Sequence, residues 1–126
     1  MAPMIPQRSL IPWMLFIGWG SSIAWLSLTP SPPSLHSPLL GWDKFQHASA
    51  YALLTFTGGW AFGRTRRAFV GAFFLAILYG GAMELFQGYF TGNRSADWLD
   101  ELANLTGSGV AAALAILFLA RKKGSL

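Results

Sequence analysis

The stretch from residue 68 to residue 90 reads AFVGAFFLAILYGGAMELFQGYF. An α-helix needs about 20 apolar residues to cross a hydrocarbon core about 30 Å thick, and this stretch is long enough. One acidic residue, Glu84, lies inside it. An acid in a membrane span costs on the order of 2.5 to 3.5 kcal/mol by insertion scales unless it is paired, neutralised or solvated. The stretch therefore predicts a membrane helix and a polar environment around Glu84.

The composition of the 126-residue chain favours lipid as its solvent. Hydrophobic residues make up 53% of it and charged residues 11%, and the mean hydropathy is +0.43. Soluble domains carry about 25% charged residues. The basic residues lie in short gaps between apolar runs and not along a face that meets phosphates, so no nucleic-acid partner is expected. The absence of cysteine excludes disulfides, thiolate metal sites and cysteine nucleophiles.

Four apolar runs divide the chain, which is long enough for one domain over residues 1–126. The sequence predicts an all-α, polytopic membrane protein with a four-transmembrane-helix bundle. The first run is read as an uncleaved anchor because it lacks a small-residue cleavage pattern. The predicted spans cover residues 13–28, 45–62, 68–90 and 102–120, with a proline-rich loop at 29–42 and a polar loop at 91–101.

Basic residues predict the orientation of these spans. Only Lys44 and Arg94 lie in loops 29–42 and 91–101 or at their edges. By the positive-inside rule both termini face the cytoplasm (N-in/C-in) and these two loops face outward. The remaining basic residues lie before the first span, between the second and third, and after the fourth: Arg8, Arg64, Arg66, Arg67, Arg121, Lys122 and Lys123.

Polar residues on the second predicted helix share one face. Asp43, His47 and Tyr51 follow one another at four-residue intervals. Asp43 with Gln46 also has the form of a capping box, so a structural role is expected for this pair. His36, in the proline-rich loop, is interpreted as a solvated histidine outside the site.

The third and fourth predicted helices carry polar groups at the same level. Glu84 and Gln87 share a face of one, and Asp97, Asp100 and Asn104 share a face of the other. A rise of 1.5 Å per residue puts His47, Glu84 and Asn104 about 5 to 6 Å inside the outer boundary. Small residues recur along the fourth helix at Ala103, Gly107, Ala111 and Ala115, where another helix is expected to approach.

Several of these residues also have plain structural explanations. Asp43 suits an N-cap, Asp97 complements a helix dipole, and Glu101 is expected to be a solvated neighbour. Lys44 and Arg94 would serve equally as interfacial anchors that snorkel to headgroups. A buried polar contact that fixes helix register is worth only about 0.6 kcal/mol, and one such contact would suffice. The number of converging polar groups favours a functional site.

The ordered set of motifs resembles the signature of VanZ-like membrane proteins. The motifs are Asp43-Lys44-x-x-His47-x-x-x-Tyr51, then Glu84-x-x-Gln87, then Arg94-x-x-Asp97-x-x-Asp100-x-x-x-Asn104-x-x-Gly107. The resemblance covers residues 43 to 107. It implies a small multi-pass protein of the bacterial cytoplasmic (inner) membrane, from a family named for a member linked to teicoplanin resistance. A role in envelope homeostasis or glycopeptide resistance is the expected setting, with no defined reaction or cofactor.

Three hypotheses of function follow from the site. The first is binding of an anionic membrane lipid or lipid-linked cell-envelope precursor in an outward-facing pocket. The second is an enzyme acting on a lipid headgroup, with His47, Glu84 and Asp100 as catalytic residues. The third is a proton or ion transporter, which would need a homo-oligomer to build a path. The ligand-binding residues of the first hypothesis are Lys44, Tyr51, Gln87, Arg94, Asp97 and Asn104.

A divalent cation is a further expectation for the same site. Carboxylates suit a hard cation, and with a histidine they also suit a transition metal. The candidate ligands are His47, Glu84, Asp97 and Asp100.

Overall fold

The computed structural model describes residues 9–29, 42–92 and 96–124. It contains four α-helices, α1 (Ile11–Leu28), α2 (Trp42–Phe62), α3 (Arg66–Phe90) and α4 (Trp98–Gly124). This confirms the prediction of an all-helical chain with four helices. The boundaries differ most at α4, which begins inside the predicted polar loop and continues past residue 120. The predicted loop at 29–42 lies almost wholly outside the described residues.

Three of the helices are long and apolar enough to cross a membrane: α1, α3 and α4. Helix α2 is not among them, and its first two turns carry Asp43, Lys44, Gln46 and His47. The prediction of a fourth span at residues 45–62 therefore stays a prediction, as does the N-in/C-in orientation. The chain therefore has three helices with the length and apolarity of a membrane span.

Helices α2 and α4 run parallel and lie in close contact. A Cβ atom on Gly107 would come within 1.9 Å of the Ala48 carbonyl oxygen, so no larger residue fits there without backbone movement. The Ser108 hydroxyl, fully buried, donates to the Tyr51 carbonyl over 3.2 Å. The structural role predicted for Gly107 thus has a physical basis, because its bare backbone lets the two helices meet.

Helix α3 runs antiparallel to both and joins α2 by a tight turn. Gly63 and Arg64 both adopt positive φ, at 132° and 61°. The Arg64 N–H donates to the Gly59 carbonyl over 2.9 Å, which is the six-to-one bond of a Schellman motif. Further along α3, Ala72, Ala76 and other small residues are buried against the neighbouring helices. The turn therefore brings the start of α3 beside the end of α2.

Helix α1 lies at the periphery, against α2 and α3. The Trp19 indole N–H donates to the Ala50 carbonyl over 2.8 Å, and the Tyr79 hydroxyl donates to the Gly20 carbonyl over 2.5 Å. Only Pro12 and Ile23 of α1 are buried. Most of its apolar side chains are thus left for a lipid or protein environment.

This arrangement gives the bundle two chemically different ends. The polar end holds all five acidic residues of the chain, where α2 and α4 begin and α3 ends. We define it by Asp43, Lys44, His47, Glu84, Asp97, Asp100, Glu101 and Asn104. The basic end is defined by six exposed residues where α2 and α4 end and α3 begins: Arg64, Arg66, Arg67, Arg121, Lys122 and Lys123.

Candidate functional site at the polar end

Lys44 connects the starts of α2 and α4. Its ammonium group donates to Asp97 Oδ2 over 2.9 Å, to Asp43 Oδ2 over 3.3 Å, and to Asp100 Oδ1. Asp43 is largely exposed, whereas Asp100 is buried. Lys44 is therefore the centre of an ion-pair network and not a free interfacial anchor.

The pKa values of this network shift in the directions that ion pairing requires. Burial alone would lower the pKa of Lys44, but the hydrogen bonds to Asp100 and Asp97 outweigh that effect and raise it. The hydrogen bond from Lys44 lowers the pKa of Asp97, and the Leu99 N–H contributes in the same direction. Both groups are therefore charged over the whole neutral range.

A chain of hydrogen bonds orients the imidazole of His47. Asn104, which is only 1% exposed, donates through Nδ2 to Glu101 Oε2 over 3.1 Å. Its amide oxygen then faces His47 Nδ1 at 3.2 Å. Because an amide oxygen can only accept, Nδ1 carries the hydrogen. The other ring nitrogen, Nε2, is left to face the carboxylates.

Three acceptor atoms converge on the opposite side of the ring. His47 Nε2 lies 3.5 Å from Asp100 Oδ2 and 3.9 Å from Asp43 Oδ1. One ligand atom from each of these three residues lies within 4.8 Å of the other two. Lys44 contacts the other oxygen of each of these two carboxylates, Asp43 Oδ2 and Asp100 Oδ1. Each aspartate therefore contacts Lys44 through one oxygen and faces His47 with the other.

Glu84, which lies within an apolar helix, is paired with a backbone N–H. Its side chain is 7% exposed, and Oε2 accepts the backbone N–H of Asp97 over 2.9 Å. Asp97 in turn accepts the Leu99 N–H through Oδ1 over 2.9 Å, as an N-cap of α4 does. The carboxylate of Glu84 thus ties the end of α3 to the start of α4.

Other predicted site residues have distinct positions. Tyr51 is buried in the core between α2 and α3, with its ring 6.5 Å from that of Tyr79. Gln87 is buried on α3 one turn after Glu84. Arg94 lies outside the described residues. The capping-box prediction changes for Asp43, because α2 begins at Trp42 and the Asp43 carboxylate contacts Lys44 and His47 from within the first turn.

Glu101 and Gly80 belong to the site but were not predicted from the sequence. Glu101 was expected in solvent, yet it is half-buried and holds Asn104 in place. A Cβ atom on Gly80 would lie 2.7 Å from Glu101 Oε2 and 2.9 Å from Asn104 Nδ2, so a bare backbone on α3 makes room for this pair. The three-residue spacing of Glu101 and Asn104 was the signal that could have placed them together.

The polar end as a whole is acidic. Within the part of the chain that the structure describes, Lys44 faces three carboxylates directly, and Glu84 and Glu101 lie nearby. A phosphate entering this site would meet more negative than positive charge. Anion binding here would therefore require an additional cation.

Comparisons with known protein families, with curated proteins and with solved structures found no match. The resemblance to VanZ-like proteins consequently stays a prediction, carried by the motif residues alone.

Proposed function

We propose that this chain is a membrane protein whose polar end binds a divalent metal ion between Asp43, His47 and Asp100. The ion would take a phosphate oxygen of a membrane lipid or lipid-linked envelope precursor. The observation that carries the proposal is the convergence of His47 Nε2 with one oxygen from each aspartate, while Asn104 holds the proton on Nδ1. Fixing the tautomer through the far ring nitrogen is the usual support for a metal-bound histidine.

The separations between these atoms suit a shared ion better than direct hydrogen bonds. An N–H···O hydrogen bond spans about 2.7 to 3.2 Å. The distances from Nε2 are 3.5 and 3.9 Å. Two ligands held about 2.1 Å from one tetrahedral ion lie roughly 3.4 Å apart. A nitrogen and two carboxylates favour Zn²⁺ or Mn²⁺ over Ca²⁺, and three protein ligands leave a position open for substrate or water.

A metal ion also resolves the charge problem of lipid binding. Lys44 is neutralised by Asp97 and Asp100, so it offers little to a phosphate. A divalent ion adds two positive charges at the exposed edge of the cluster, where Asp43 is largely open. Phosphate would then bind through the metal, with Arg94 as the residue that the sequence places nearby. The VanZ-like resemblance makes envelope homeostasis or glycopeptide resistance the setting for such binding.

An enzyme acting on the headgroup is the second candidate. Asp43, His47 and Asp100 would hold the ion, and a bound divalent metal would supply the activation of water as a nucleophile at neutral pH. In this version His47 and Asp100 are ligands, and Glu84 positions α4 through the Asp97 N–H. Ion transport is less well supported, since all five acidic residues lie at one end of the bundle.

The test is metal binding by the purified protein. Detergent-solubilised protein is stripped with a chelator and titrated with Zn²⁺ and Mn²⁺ by calorimetry. We expect one saturable site, with affinity lowered at least about tenfold in His47→Ala and in Asp100→Asn. His36→Ala is the matched control, because it removes the other histidine of the chain. Equal affinities of His47→Ala and His36→Ala would contradict the proposal.

The phosphate step has its own readout. Vesicles of phosphatidylglycerol and free inorganic phosphate are compared as competitors for the metal-loaded protein. Binding of the vesicle lipid that disappears with chelator and with His47→Ala supports lipid recognition through the ion. Competition by inorganic phosphate at equal strength would indicate a free phosphate ligand. Release of a free headgroup during incubation would identify the enzymatic version.

A further inference from the structure

An open apolar groove lies toward the basic end of the bundle, away from the polar site. Its volume is about 600 Å³. That volume falls within the range of ligand-binding clefts. The groove is bounded by the second half of α2, the start of α3 and the second half of α4. Its lining includes Phe56, Trp60, Phe69, Ala115 and Phe118, with Arg64 at one edge.

The shape of the groove follows from small residues on two helices. Phe69 packs onto Gly59 so closely that a Cβ atom there would lie 2.0 Å from the ring. On α4 the small-residue stripe that meets α2 at Gly107 continues to Ala111 and Ala115, which line the groove. The stripe is thus packed at one end and left open at the other.

Positive charge lies at one edge of the groove and at the same end of the bundle. The guanidinium of Arg64 lies 5.0 Å from the centre of the Trp60 ring, at the groove edge. Arg66 and Arg67 follow it directly in the chain, and α4 ends beside them with Arg121, Lys122 and Lys123. All five acidic residues are at the other end of the bundle. The groove therefore combines apolar walls with positive charge at one edge. This pattern is complementary to the acyl chain and the negative headgroup of an anionic lipid.

We propose that this groove binds one anionic phospholipid, with an acyl chain along the aromatic and alanine walls and the phosphate on Arg64. Arginine contacts phosphate through two parallel N–H donors, and its stacking on Trp60 pre-orients the group. Basic pockets between membrane helices on the cytoplasmic side are typical binding sites for acidic headgroups. The inference depends on the membrane location proposed above but not on the metal site.

Charge separates this occupant from the alternatives. A zwitterionic lipid would fill the apolar walls equally well, but its headgroup has no net charge and would gain less from Arg64 at the groove edge. A second copy of the chain would bring its own basic end against this one. The repulsion between two such ends disfavours a symmetric contact here.

The experiment compares lipid retention in delipidated protein. The protein is mixed with equal amounts of phosphatidylglycerol and phosphatidylcholine in detergent, and native mass spectrometry counts the lipids that remain bound. We expect wild type to keep phosphatidylglycerol at least fivefold over phosphatidylcholine. Arg64→Gln should bring the ratio close to one. Arg67→Gln is the matched control, because Arg67 is exposed at the same end but does not line the groove.

A second variant tests the walls. Ala115→Phe fills the groove and should reduce retention of both lipids at least fivefold. Circular dichroism checks the fold of each variant, and Arg64→Gln, at an exposed position, decides the proposal if Ala115→Phe does not fold. All measurements are made with chelator present, so retention that requires metal belongs to the polar site.

Three results would overturn the inference. Equal retention of the two lipids by wild type would mean that only ordinary surrounding lipid is present. Equal ratios for Arg64→Gln and Arg67→Gln would remove the phosphate contact. A dimer that Ala115→Phe dissociates, with phosphatidylglycerol retention unchanged, would make the groove an interface between two copies.

Discussion

The two ends of the bundle are built from the same three helices but treat charge in opposite ways. At the polar end, Glu84 and Asp100 are buried and tied to a backbone N–H and to Lys44. At the basic end, all six cationic side chains are exposed, and one of them, Arg64, lines an apolar groove. The buried carboxylates of the polar end have partners within the fold, whereas the charged side chains of the basic end lie on the surface. The polar end therefore suits a small ion, whereas the basic end suits a large amphipathic ligand.

The largest effect is expected when one methyl group is added to a glycine at a close helix contact. Gly107 lies at the α2–α4 contact near the polar end, and Gly59 lies beside the groove near the basic end. Gly107→Ala drives a Cβ atom into the Ala48 carbonyl, and backbone cannot move aside cheaply. We expect it to lower the free energy of unfolding by about 3 kcal/mol. Gly59→Ala meets the ring of Phe69, which can shift, so a loss of about 1 to 2 kcal/mol is expected. Denaturant unfolding in detergent measures both.

Gly109→Ala and Gly71→Ala are the controls for that pair. At Gly109 the nearest atom to a new Cβ is 3.7 Å away, and at Gly71 none lies within 4 Å. Both controls should keep wild-type stability or gain up to about 1 kcal/mol, because alanine favours a helix over glycine. A loss in the controls as large as in Gly107→Ala would show that glycine itself, and not close helix contact, determines the effect.

Removing the cation of the polar end should strengthen metal binding. In Lys44→Met, Asp43 and Asp100 lose the ammonium on their other oxygens, which removes a positive charge that repels the metal ion. The affinity for Zn²⁺ should rise about tenfold, or 1.4 kcal/mol. Calorimetric titration measures it, and Arg64→Gln at the basic end serves as the charge-matched control. Weaker binding in Lys44→Met would show that the ion pairs position the ligands instead of competing with the metal.

Acid should weaken the polar end before the basic end. The pKa of Asp97 is lowered from its ordinary 3.8 by Lys44, so its stabilising contribution is present above about pH 4 and is lost as the pH falls through the lower folded value. Thermal unfolding of wild type and Asp97→Asn is compared at pH 6 and pH 3. The difference between them should shrink at pH 3. A difference that is the same at both values would contradict the ion pair.

The smallest effect is expected for Glu84→Gln. The amide keeps an oxygen for the Asp97 N–H, so stability should change by less than about 1 kcal/mol, and metal affinity should hold. Glu84→Ala leaves that N–H unsatisfied and should cost about 1 to 3 kcal/mol. A large loss of metal affinity in Glu84→Gln would restore the sequence-based prediction of Glu84 as a metal ligand.

Much of this architecture could be predicted from the sequence because apolar runs and helical spacing are local signals. The four helices follow from the runs, and the shared face of Asp43 and His47 follows from their four-residue interval. The sequence places Asp100 and Glu101 in a polar loop before the fourth predicted span, whereas helix α4 begins at Trp98. In the structure they occupy the first turn, where carboxylates complement the helix dipole.

The hydrogen-bond partners of the site's side chains could not be predicted from the sequence. Glu84 accepts a backbone N–H, which carries no side-chain signature. Glu101 reaches Asn104 beside Gly80 only because α3 and α4 pack closely there. Such contacts depend on how helices pack and not on spacing within one helix. The division of each aspartate between Lys44 and His47 is of the same kind.

The parallel contact of α2 with α4 has a consequence for biogenesis. Lys44 and Asp100 are 56 residues apart in the chain, so a ribosome completes α2 and α3 before it makes the carboxylate that Lys44 needs. Helix α2 is not among the three helices that are long and apolar enough to cross a membrane. Its close contact with α4 at Gly107 forms only once α4 has been made. The ion pairs of Lys44 with Asp97 and Asp100 therefore form only after α1, α2 and α3 have been made, and a chain stalled after α3 would hold Lys44 without these two partners.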